Sequence, residues 1–161
     1  MGKEGRGSTE PRQTHMTRLA LIIDDNRMIA KSLGQMLSLL GYEVQAAPGS
    51  LPGLQMLGKI TPDLILLDLH MQGINGIEVC RYIRRDARLH NVPVIAISSD
   101  NQEVMIDGVR EAGANFFLSK PIEFEVLEKL VKQIETAHSA PTQRLEDRRN
   151  VPPQTRPHKS Q

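Results

Sequence analysis

The chain has no tryptophan, a single cysteine and only 3% aromatic residues. One cysteine excludes an internal disulfide and fits a reducing, cytoplasmic compartment. Ile77 and Ile83 flank Cys80 at helical spacing, which predicts a packed core thiol rather than a redox centre. No apolar run approaches the roughly 20 residues of a membrane-spanning helix. The first fifteen residues, MGKEGRGSTEPRQTH, lack the apolar stretch of a secretory signal, and Arg6 stands where a myristoylation motif needs Ser or Thr. With a formal net charge of +1, the chain carries no basic field of the kind that nucleic acid or an anionic membrane attracts. A glycine-rich nucleotide loop is missing after the first apolar run, which argues against a dinucleotide enzyme.

What the 161 residues do contain is an alternation of short apolar runs with amphipathic helical patterns, repeated five times. That pattern predicts a doubly wound α/β domain, a parallel sheet with helices on both faces. Strands are expected at Arg18–Ile23, Tyr42–Ala46, Asp63–Leu67, Val92–Ile97 and Asn115–Leu118. The second is the most polar, as an edge strand should be. Helices are expected at Arg27–Leu40, Leu51–Gly58, Gly76–Arg85, Gln102–Ala112 and Ile122–Ala137. Gly41 and Gly113 serve as stops, and Pro52 is tolerated only in a first turn. Residues 1–17 read as a disordered extension. Residues 139–161, where Pro141, Pro152, Pro153 and Pro157 sit among charged residues, read as a disordered, Pro-rich basic tail or linker.

The chemistry-bearing residues lie where the apolar runs stop. LALII runs into Asp24 and Asp25, DLILL into Asp68, PVIAI into Ser98, and NFFL into Ser119, Lys120 and Pro121. In an open α/β sheet ligands bind beyond the carboxyl ends of the strands, so these side chains converge on one site. Three carboxylates so close repel one another unless a cation lies among them, which implies a divalent metal with oxygen ligands, Mg²⁺ first. A lysine and a hydroxyl beside a metal-bound carboxylate suit a phosphoryl group, whose equatorial oxygens need positive charge and hydrogen-bond donors.

IIDDN, LLDLHMQGINGIEV, VIAISS and GANFFLSKP occur in an order and at intervals that resemble the receiver domains of two-component response regulators, of the chemotaxis-protein type. The resemblance covers about residues 18–138. It implies a flavodoxin-like sheet of order 2-1-3-4-5 and a signalling switch, not an enzyme acting on a separate substrate. By the same resemblance Asp68 is the phosphoacceptor. Asp25, Asp68 and the backbone carbonyl of His70 ligate Mg²⁺, with Asp24 acting through water. Ser98 and Lys120 hold the phosphoryl group, the Lys120–Pro121 bond is cis, and Ser98 and Phe117 form the switch. The implied partners are a histidine kinase or histidine phosphotransfer protein as donor, and either a downstream protein or a C-terminal output domain. A dimer through helix four, strand five and helix five is one form of that output. Neither a membrane nor nucleic acid is a partner of this segment.

Each of these residues also has an ordinary reading. Asp68 as a turn or cap, Asp24, Asp25 or Asn26 as caps of the helix at Arg27, Lys120 as a surface lysine and Phe117 as plain core are the alternatives. The imidazole of His70 is a poor match for hard-oxygen chemistry. Gln72 stands where the family usually has proline, and His70 and Asp100 occupy the positions that tune water access to an acyl phosphate. Two rival functions remain: a receiver-like binding module that never carries phosphate, and a phosphohydrolase. The first would normally lack one of the reacting groups. The second commonly needs an acid where His70 stands, and a cap-sized insertion.

Overall fold

The computed structural model describes residues 17–139. The terminal readings, on 1–16 and 140–161, lie outside them. Five strands and five helices alternate: β1 Arg18–Ile23, α1 Arg27–Leu39, β2 Tyr42–Ala47, α2 Ser50–Leu57, β3 Leu64–Asp68, α3 Gly76–Arg85, β4 Val94–Ser98, α4 Glu103–Glu111, β5 Phe116–Ser119 and α5 Phe124–Ser139. The sheet is parallel throughout, in the order β2-β1-β3-β4-β5. This is the flavodoxin-like arrangement, with β2 and β5 at the edges.

Strand residues point alternately to the two faces, and both faces are covered. Ala20, Ile22, Leu64, Leu66, Ile95 and Ile97 pack with α1 and α5 through Leu33, Leu37, Leu127, Val131 and Ile134. Leu21, Ile23, Ile65, Leu67 and Val94 pack with α2 and α3 through Leu57, Val79, Cys80 and Ile83. Leu69, Ala96 and Val109 of α4 form a smaller cluster with Phe117 against it. Cys80 is buried, its thiol donates to the Ala112 carbonyl at 3.5 Å, and burial pushes its pKa up.

The boundaries depart from the sequence pattern where a local group dictates it. β4 begins at Val94 rather than Val92. Pro93 has no N–H for the ladder and contributes only its carbonyl, which accepts from Ile65 at 3.0 Å. Asn115 lies just before β5: its N–H donates to the Val94 carbonyl at 3.0 Å, and its Oδ1 accepts from the Val94 N–H and from Arg84, both at 2.8 Å. α5 starts at Phe124, two residues later than the pattern suggests. Ile122 instead turns its side chain into the core between α1 and α5. Gly41, with φ +89°, ends α1 in a left-handed conformation that a side chain would strain. Among the described residues no helix is long and apolar enough to cross a membrane.

Candidate functional site

Parallel register aligns the carboxyl ends of β1, β3, β4 and β5 and delivers the predicted residues to one place. Asp68 is the last residue of β3 and Ser98 the last of β4; they are 3% and 0% exposed. Asp24 follows β1 directly, is 2% exposed, and ties the chain back to β2 through its N–H to the Ala47 carbonyl at 3.2 Å. Asp25 is exposed beside it. Lys120 follows β5, where its N–H donates to the Ser98 carbonyl at 2.9 Å and its peptide bond to Pro121 is cis.

The side chains meet. Lys120 Nζ lies 3.2 Å from Asp68 Oδ1 and 3.5 Å from Asp24 Oδ2. Asp24, Asp25 and Asp68 each offer a carboxylate oxygen within 4.8 Å of the other two. Three carboxylates against one ammonium leave a surplus of negative charge. Burial raises the Asp24 pKa and the Asp68 charge adds to the rise, against the lowering by the Asn26 N–H and Lys120. A hard divalent cation fits this donor set, since it would supply the missing positive charge to oxygen ligands. The Asn26 N–H donates to Asp24 Oδ1 at 2.8 Å, while the Asn26 side chain accepts from Met28 and Ile29 to cap α1. Capping and orientation of the acid therefore coexist.

His70 lies exposed on the β3–α3 loop, and its N–H reaches Asp68 Oδ1 at 3.3 Å. Phe117 is half-buried in β5, paired in register with Ala96 and packed against the cluster of Leu69, Ala96 and Val109. It sits next to the acidic site rather than in it. The Ser98 hydroxyl accepts the Asp100 N–H at 2.9 Å.

Two further residues shape this neighbourhood without a sequence signal that singles them out. A Cβ on Gly76 would lie 2.5 Å from the Asp68 carbonyl oxygen, so only glycine lets α3 start so close to the strand end. In the sequence it is one of two glycines in the motif after Asp68, with Gly73. Ser50 is buried at the start of α2 and bonds the Ile74 carbonyl of the β3–α3 loop. No sequence spacing links Ser50 to that loop.

This fold and this acidic strand-end site define a class, and comparison with known proteins gives the family. The response regulator receiver domain family matches residues 20–132, and the chain belongs to it. The transcriptional regulatory protein AfsQ1 of Streptomyces coelicolor is 34% identical over 114 residues, 71% of this chain and 49% of that protein. The chain thus spans about half the length of AfsQ1. The polar-differentiation response regulator DivK of Brucella ovis is 30% identical over 107 residues, 66% of this chain and 87% of DivK. The signal receiver domain of a DNA binding response regulator from Colwellia psychrerythraea superimposes with a TM-score of 0.70 at 29% identity, covering 74% of this chain and 98% of that one. Receiver domains are switches of two-component signalling; the family binds Mg²⁺ at an acidic pocket, and response regulators interact with histidine kinases and downstream partners.

Proposed function

We propose that residues 18–138 form a phosphoacceptor switch in which Asp68 takes a phosphoryl group from a histidine kinase or histidine phosphotransfer protein. The observation that carries this reading is the Lys120 ammonium 3.2 Å from Asp68 Oδ1, inside a cluster of three carboxylates. An Asp68 oxygen attacks the phosphorus of the donor phosphohistidine, a P–O bond forms as the P–N bond breaks, and the leaving imidazole takes up a proton. Water later cleaves the acyl phosphate, restoring Asp68 and releasing inorganic phosphate. Asp25, Asp68 and the His70 carbonyl would hold Mg²⁺ directly, with Asp24 acting through water. When bound, the ion supplies positive charge to the phosphoryl oxygens. Lys120 exchanges Asp68 for a phosphoryl oxygen, and the Ser98 hydroxyl donates to another.

The switch follows from those two contacts. Ser98 moving toward Asp68 draws its loop inward and frees space that the Phe117 ring takes, which alters the surface of α4, β5 and α5. That surface meets a downstream protein, a second copy, or an output domain of a longer chain. The test is a backbone amide shift comparison with and without Mg²⁺ and beryllofluoride, a phosphoryl mimic. Shifts at Asp68 that spread to α4, β5 and α5 support the switch. Unchanged shifts there favour a binding module that carries no phosphate.

A further inference from the structure

On the receiver reading the β3–α3 loop, residues 69–75, holds the His70 carbonyl toward the acidic cluster, and among the described residues few side-chain hydrogen bonds tie its middle to the rest of the fold. It stands where the family's usual proline is replaced by Gln72, and Gly73 in its middle has φ +86°. Leu69 bonds back to β4 at one end and Asn75 caps α3 at the other. Between them, among the described residues, Asp68 Oδ1 accepts the His70 N–H at 3.3 Å and Met71 packs against the core, while the side chain that hydrogen-bonds the loop's far half is Ser50. A serine at the start of a helix ordinarily caps it. Here Gly49 occupies the capping position with no side-chain bond, and the Ser50 hydroxyl, 2% exposed as a residue, crosses instead to donate to the Ile74 carbonyl. The Met71 sulfur lies 3.8 Å from the same hydroxyl oxygen.

We infer that Ser50 is a positioning residue for the metal and phosphoryl site, acting through the β3–α3 loop. This rests on the receiver reading above, because the loop matters to chemistry only if His70 faces a bound cation. A buried hydroxyl has one proton, and committing it to Ile74 fixes the loop at a point four residues past His70. The tether takes the place of a stiffening proline. Without it the Ile74 carbonyl, on a residue 41% exposed, turns to water and the loop samples arrangements in which the His70 carbonyl points elsewhere.

The experiment measures Mg²⁺ affinity by amide shift titration and loop order by ¹⁵N relaxation in wild type, Ser50→Ala and Ser50→Ala/Gln72→Pro. Ser50→Ala should bind Mg²⁺ about five-fold more weakly, the worth of one neutral hydrogen bond. Order parameters should fall at residues 70–74 and stay unchanged in β1 and β3. Gln72→Pro in that background should restore both, which a merely structural serine would not predict. Equal Mg²⁺ affinity in wild type and Ser50→Ala, or weakened affinity with an unaltered loop, would overturn the tether. Wild-type protein that binds no Mg²⁺ would instead overturn the reading of the acidic site on which the tether depends.

Discussion

Ser98 and Asp100 are joined by a hydrogen bond in which the Ser98 hydroxyl accepts the Asp100 N–H at 2.9 Å. Asp100 Oδ1 in turn accepts the Gln102 N–H at 3.0 Å, and α4 begins at Glu103. Two successive turns thus connect the end of β4 to the start of α4, a path by which a displacement of Ser98 would reach that helix. The far end of α4 is held differently. Arg84 donates to the Gly113 carbonyl at 2.8 Å, and Cys80 to that of Ala112.

Ser98→Ala should therefore uncouple the site from the surface. The beryllofluoride-induced amide shifts of α4, β5 and α5 should fall to less than about half of those in wild type, as one of two phosphoryl contacts is lost. Lys120→Ala should do the same through the other contact. Full wild-type shifts in both variants would show that coupling runs by another route.

The two acids after β1 should respond differently to amidation. If Asp25 is a direct ligand as proposed, Asp25→Asn should weaken Mg²⁺ binding at least about ten-fold, measured by shift titration. Asp24→Asn should weaken it less. Without a divalent cation, Asp24→Asn should raise stability in urea unfolding at neutral pH. The folded state holds the Asp24 proton more tightly than the unfolded chain does, so the ionised carboxylate opposes folding above its unfolded pKa.

Gly76→Ala should destabilise the domain by about 1–3 kcal/mol in urea unfolding, the usual penalty for forcing an extra methyl group into a filled space. The added Cβ would be 2.5 Å from the Asp68 carbonyl and 2.7 Å from the Leu69 Cα, both backbone atoms that cannot swing away.

At the opposite end of the sheet Tyr42 is buried, its hydroxyl donates to Glu135 at 3.2 Å, and Arg18 lies over its ring, 5.1 Å from the centroid. Burial, followed by the Glu135 charge, pushes its pKa up to about 12 from 10.0. The unfolded chain loses this proton near pH 10 while the folded protein keeps it to about 12, so the contribution is complete below 10 and lost across that window. Wild type should lose about 2–3 kcal/mol more than Tyr42→Phe between about pH 10 and 12.

Much of the fold and the site is legible in the sequence because the informative residues are local to an element. An apolar run ending in a polar residue marks both a buried strand and what stands at its end, and so Asp24, Asp68, Ser98 and Lys120 can be read from the chain alone. β1 and α3 keep their expected bounds. What the sequence does not display are contacts between segments far apart along it. The Ser50 bond to Ile74 spans 24 residues and the Arg84 bond to Gly113 spans 29; neither leaves a periodicity or spacing. The start of β4 departs from the pattern for a smaller reason: Val92 continues the apolar run, but Pro93 breaks the ladder.

The central claim is that Asp68 accepts the phosphoryl group, and the most direct measurement is its chemical location. Incubation with acetyl phosphate and Mg²⁺, followed by trapping of the acyl phosphate and peptide mass analysis, should give one modified residue, Asp68, and none in Asp68→Asn. Modification mapped to Asp24 or Ser98, or no modification of the wild-type chain, would contradict it.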